Sequence, residues 1–128
     1  MKKIILTLVF IFSISMNMQA QEVKREAVET AEIKPNKNRK VEFAVDGNCD
    51  MCKKRIEKAA FSVKGVKSAD WHMDHKDIHL IIDETKCSVL DVQKSIAKAG
   101  HDNVGVKATD EEYAKIHGCC QYRTQKSH

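Results

Sequence analysis

Proline is almost missing from this 128-residue chain; the single one is Pro35. Thiol–disulfide oxidoreductases of the thioredoxin type set a cis-proline against their thiols. A lone proline in a charged N-terminal stretch argues against that class. An excess of charge of either sign is lacking too. Lys and Arg number 22 against 18 Asp and Glu, a formal net charge of +4, which falls to +2 if Lys2 and Lys3 are removed with a leader. Such a balance excludes nucleic acid as the expected partner. There is no internal repeat. Past residue 20 there is also no apolar run of the roughly 20 residues that a membrane span needs.

The one long apolar run is at the start. Ile4 to Ile14 is broken only by Thr7 and Ser13, follows Lys2 and Lys3, and leads to Met18-Gln19-Ala20. That is the layout of a cleaved secretory signal over residues 1–20. It predicts a periplasmic or secreted protein with no stable membrane insertion after cleavage. No cysteine follows the cleavage point, so a lipid anchor there is not expected. Residues 21–40 are charged and poor in apolar side chains, as in a flexible linker.

From Val41 the pattern sharpens. Val41, Phe43 and Val45 alternate as in a half-buried strand. Cys52, Ile56, Ala59, Ala60 and Val63 recur at helical spacing, and Gly65 stops that helix. Ala69, Trp71 and Met73 form the inward set of a second strand, Asp74 to Asp77 a turn, and Ile78, Leu80 and Ile82 the inward set of a third. Ser88 and Asp91 make a capping box for a second helix, which buries Val89, Val92, Ile96 and Ala99 and ends at Gly100. Val104, Val106 and Ala108 are expected to form a last strand. The order is βαββαβ, an α+β ferredoxin-like sandwich with two helices on one face of a four-stranded antiparallel sheet. This domain occupies residues 41–108. Residues 109–128 form a tail, in which Thr109 and Glu112 cap a short helix.

Five cysteines remain: Cys49, Cys52, Cys87, Cys119 and Cys120. An odd count, with one C-x-x-C and one vicinal pair, suits metal or redox chemistry better than a disulfide framework. Cys49 and Cys52 open the first helix, where unpaired N–H groups and the helix dipole favour thiolate over thiol. Thiolates bind soft ions, and they also carry out disulfide exchange.

The C-x-x-C between first strand and first helix, the βαββαβ order and Ala99-Gly100 closing the second helix together resemble the heavy-metal-associated domain family. The resemblance covers about residues 41–108. It implies that Cys49 and Cys52 are the metal ligands, and that copper-chaperone-like and mercury-binding-like exported proteins are the nearest kinds. Two positions depart from the family pattern: Gly47 stands where a buried Met is usual, and His101 where an aromatic or Lys is usual.

Two thiolates suit Cu(I) first and Hg(II) next, with Zn(II) and Cd(II) less well served because zinc normally takes four ligands. The expected function is binding of one such ion for transfer or sequestration, without catalysis. Its partner would be a metal-transporting membrane protein or a cuproenzyme, by thiol ligand exchange. His101, on the loop at the same end, is an accessory ligand candidate, and Lys53 is expected to offset the site's charge. Cys87 is expected at the opposite end of the domain, where the last strand would deliver the tail. There Cys119 or Cys120 either bridges to Cys87 as a disulfide or joins it, with His117, in a second soft-metal site. A tail folded back to the C-x-x-C is not expected. The competing classes are a thiol–disulfide oxidoreductase and an interaction module held by a structural disulfide.

Overall fold

The computed structural model describes residues 34–124; the signal expected over 1–20 and the first part of the linker lie outside the described residues. Strand β1 spans Arg39–Ala44, helix α1 Asp50–Phe61, β2 Val66–His72, β3 Asp77–Ile82 and helix α2 Val89–Lys98. A short helix, α3, spans Asp110–Ala114, and two single 3-10 turns follow at Gly118–Cys120 and Tyr122–Thr124. Among the described residues, no helix is long and apolar enough to cross a membrane.

The alternation read in the sequence sets the sheet. Its strand order is β1-β3-β2, all antiparallel, with Phe43 and Trp71 both opposite Ile78. The inward face carries Phe43, Ala69, Trp71, Ile78, Leu80 and Ile82. It meets Cys52, Ile56 and Ala60 of α1 and Val92 and Ile96 of α2 in one buried cluster. Full burial of each large apolar side chain contributes about 1.5–3 kcal/mol. Ser88 caps α2 as expected, its hydroxyl accepting from Asp91 N–H while the Asp91 carboxylate accepts from Ser88 N–H. One detail differs. Met73 falls past the end of β2 and is 39% exposed. Across β2 and β3, His79 lies opposite Asp70 and His72 opposite Asp77, with the two imidazole centroids 4.6 Å apart.

The fourth strand is the main correction. Pairing of the last segment with the first strand's edge shrinks to one bridge, Val45 to Asn103, flanked by Asp46 N–H to Asp102 O (2.8 Å) and Val104 N–H to Ala44 O (3.2 Å). Asn103 is the cause. Its side-chain oxygen accepts from Gly105 N–H (3.1 Å) and Val106 N–H (3.0 Å), and its own N–H donates to Val106 O (3.0 Å). The side chain thereby supplies the partners a ladder would have supplied, and the backbone turns instead. The chain therefore turns at the C-x-x-C end before α3 begins.

Candidate metal centre

Cys49 is the residue just before α1, with extended backbone (φ −156°, ψ 168°), and its carbonyl accepts from Lys53 N–H at 3.1 Å. The loop before it lies on Trp71. A Cβ at Gly47 would come within 2.9 Å of the Trp71 ring and 3.1 Å of Cys52 Cβ. Trp71 Nε1 donates to Val45 O at 3.1 Å. The indole thus occupies the space under the loop, and Gly47 is the residue that lets it in.

The two thiols converge, Cys49 Sγ to Cys52 Sγ being 3.1 Å. Cys49 is half-buried and Cys52 fully buried. Burial pushes the Cys49 thiol up, but hydrogen bonds from the Cys52 thiol and backbone N–H outweigh it and hold Cys49 below the usual thiol range. Burial dominates at Cys52 and raises it. Cys49 is therefore the readier thiolate of the pair. Lys53 does not serve the site as expected: its ammonium is taken by Asp70 (2.6 Å), Glu57 (2.8 Å) and the Trp71 carbonyl (2.6 Å).

The tail is where sequence reasoning went astray. Cys119 and Cys120 reach the C-x-x-C, not Cys87. Cys120 Sγ lies 3.4 Å and Cys119 Sγ 4.0 Å from Cys49 Sγ, and the tail sulfurs are 3.9 Å apart. Cys49, Cys119 and Cys120 offer sulfur atoms all within 4.8 Å of one another. Cys120 is fully buried and Cys119 exposed. Burial and the neighbouring thiols push Cys120 far up. His117 Nδ1 stands 3.6 Å from Cys119 Sγ, and Met51 Sδ 3.7 Å. Met51 is 46% exposed beside the tail. Cys87 stays apart, buried at the mouth of α2, with its thiol 3.8 Å from the Asp83 carbonyl. All five cysteines are unbridged.

Specific contacts hold the tail there. Thr109 and Glu112 form the expected capping box, although α3 ends at Ala114. Ile116 is buried against Gly100. The Tyr122 hydroxyl accepts from Asp102 N–H (2.6 Å) and donates to Gly100 O (3.2 Å). Arg123 grips both oxygens of Asp102 (2.7 and 2.9 Å), reaches Asp110 (3.0 Å), and stacks over Tyr113 at 4.3 Å. His101 is part of this dock rather than of the sulfur group. Its Nδ1 bonds the Asp46 carbonyl at 2.8 Å, its ring stacks on Tyr122 at 5.6 Å, and the residue is wholly buried. Burial lowers its basicity, against a smaller opposing effect of that carbonyl. The signal for the fold-back was the Asp102-Asn103 pair just after Gly100-His101, two turn formers ahead of the expected strand.

A three-stranded α+β sandwich that sets two close thiols at the start of its first helix is a soft-metal-binding module. The chain is 31% identical over 55 residues to the copper chaperone CopZ of Staphylococcus haemolyticus, covering 43% of this chain and 81% of that protein. A solved CopZ metallochaperone superposes with a TM-score of 0.50 at 28% identity, over 52% of this chain and all of that one. Oxidized MerP from Ralstonia metallidurans CH34 gives 0.50 at 28% identity, over 52% of this chain and 93% of that one. No family model matches the chain. The chain belongs to the heavy-metal-associated domain family, with copper chaperones and MerP as relatives. These relatives bind metals and are not enzymes, and neither is this protein.

Proposed function

We propose that the protein is an exported carrier or store of one soft metal ion, Cu(I) by preference and Hg(II) next, bound at Cys49 and Cys52. The observation that carries this reading is the 3.1 Å approach of the two sulfur atoms at the start of α1. Cu(I) and Hg(II) accept two-thiolate coordination, which leaves the ion open to a partner's thiols; Zn(II) and Cd(II) want more ligands. The partner is a metal-transporting membrane protein or a cuproenzyme that takes the ion by stepwise ligand exchange. The basic face of α1, with Lys54, Arg55 and Lys58, suits an acidic docking surface. The sequence pattern of residues 1–20 supports a periplasmic or secreted location.

The test is anaerobic competition against a calibrated chelator with Cu(I), Hg(II) and Zn(II) in turn. It uses the reduced protein and a Cys49→Ser/Cys52→Ser variant. The expected result is tight binding of Cu(I) and Hg(II) over Zn(II), lost in the variant. Absence of tight binding to the unsubstituted protein would overturn the reading.

A further inference from the structure

We propose that Cys119 and Cys120 are metal ligands too, and that the C-terminal segment is an arm which closes the C-x-x-C site into a three- or four-thiolate site. The proposal rests on the reading that Cys49 and Cys52 are the primary ligands. It adds what the ion meets once bound.

The geometry is that of a coordination shell. With metal–sulfur bonds of about 2.3 Å, the sulfur–sulfur edges of a tetrahedral or trigonal thiolate site come to about 3.8–4.0 Å. The edges among Cys49, Cys119 and Cys120 are 4.0, 3.4 and 3.9 Å, and Cys52 lies 3.1 Å from Cys49. Cys49, Cys119 and Cys120 already stand at separations of that size, and Cys52 adjoins them through Cys49.

The arm is fastened on both sides of its thiols, so the pair is presented rather than left to wander. Ile116 is buried before them, and Tyr122 and Arg123 are bonded to Gly100 and Asp102 after them. Between these anchors a single 3-10 turn, with Cys120 N–H donating to His117 O at 2.8 Å, points Cys120 into the domain. Cys120 is fully buried beside other free thiols, and what a thiol adds there over an aliphatic side chain is its metal-binding and redox chemistry. The CopZ structure is matched over its whole length by 52% of this chain, so about half of this chain has no counterpart there.

The consequence is a change of ligand class. Two thiols alone hold Zn(II) or Cd(II) poorly; with the arm docked, the site takes a divalent d10 ion as a tetrathiolate and Cu(I) as a trithiolate. It also adds two thiols that a partner must displace, and opening of the Arg123–Asp102 grip would free the arm to yield them.

Cd(II) titration of the reduced protein under anaerobic conditions tests this, read by sulfur-to-cadmium charge-transfer absorption, whose strength follows the number of Cd–S bonds. The set includes Cys119→Ser/Cys120→Ser, the exposed single change Cys119→Ala, Cys49→Ser/Cys52→Ser, and Cys87→Ser as a control, with circular dichroism to establish folding. The expected result is a loss of absorption per ion in the tail double variant and a fall in affinity of about a hundredfold or more, since even an outer-shell partner is worth 10–100-fold. Cys119→Ala should give a smaller loss, and Cys87→Ser should match the unsubstituted protein. If the tail variants match the unsubstituted protein while Cys49→Ser/Cys52→Ser abolishes binding, the arm is overturned and the C-x-x-C reading stands. If neither Cd(II) nor Cu(I) binds the unsubstituted protein, both fall together.

Discussion

Gly100 and Ile116 meet so closely that a Cβ on the glycine would lie 2.3 Å from Ile116 Cγ2, and the glycine φ is 97°. The end of α2 and the returning tail thus share one space, open only to a residue without a side chain that also tolerates the left-handed region. Gly100→Ala should cost about 2–4 kcal/mol, summing backbone strain and overpacking. Urea unfolding followed by circular dichroism reads the loss. An unchanged midpoint would mean that the tail does not pack there in solution.

Gly47 is constrained by space alone. Gly47→Ala drives a methyl to 2.9 Å from the Trp71 ring, and the expected loss is about 1–3 kcal/mol. Tryptophan fluorescence is the natural probe, since Trp71 is the chain's single tryptophan. A shifted emission maximum together with a lower unfolding midpoint is expected. Unaltered emission would count against the indole lying under the loop.

His101 should make stability depend on pH. Its folded pKa lies below the ordinary value of about 6.5, because burial disfavours the cation. The stability it contributes is therefore present above that value and is lost as pH falls from there through the lower folded pKa. The groups facing it do not reverse this: Arg55 opposes the cation, while Asp102 and the Asp46 carbonyl favour it more weakly than burial opposes it. Chemical denaturation between pH 7.5 and 5 should show the decline, and a His101→Gln variant should flatten it. An equal slope in the variant would assign the effect to other groups.

Tyr122→Phe removes a hydroxyl that serves Asp102 N–H and Gly100 O together, leaving a backbone donor unpaired. The expected cost is about 1–3 kcal/mol. Hydrogen exchange should show faster exchange at Asp102 N–H and across the tail, with the β3 amides unaffected. Uniform loss of protection would mean that the tail is not a separable layer.

The thiols should differ in reactivity. Cys87 is buried and pushed up by that burial and by Asp91 and Asp83, whereas Cys49 is half-buried and held low. Limited iodoacetamide treatment of the reduced, metal-free protein, resolved by mass spectrometry, should label Cys49 well before Cys52 and Cys87, and leave the fully buried Cys120 for last. Early labelling of Cys87 would contradict its placement.

Much of this was legible in the sequence, for identifiable reasons. Phe43 and Trp71 are bulky residues between polar or small ones, Ile78, Leu80 and Ile82 recur at every second position, and Cys52, Ile56 and Ala60 recur at helical spacing, so the burial pattern announced the sheet and α1. The boxes at Ser88 and Thr109 are local chemistry and declared themselves. What failed was long-range. Val104 and Val106 have strand propensity, but Asn103 satisfies its neighbours' N–H groups with its own side chain, and propensity yielded to turn chemistry. That single turn decides on which side the tail emerges, so misreading it sent Cys119 and Cys120 to the wrong end. His101 was misjudged for a related reason: its stacking partner, Tyr122, sits 21 positions later and could not be placed until the tail was.

Cys49 and Cys120 are 71 positions apart, yet their sulfur atoms are neighbours. Contacts of such separation close late, after the local strands and helices have paid most of the chain entropy. During synthesis the first thiol pair exists well before the second has been made. On the proposed four-thiol site, an ion arriving early would meet an open two-pronged clip, and one arriving after completion a nearly finished cage. The order of the sequence would then space capture and enclosure in time.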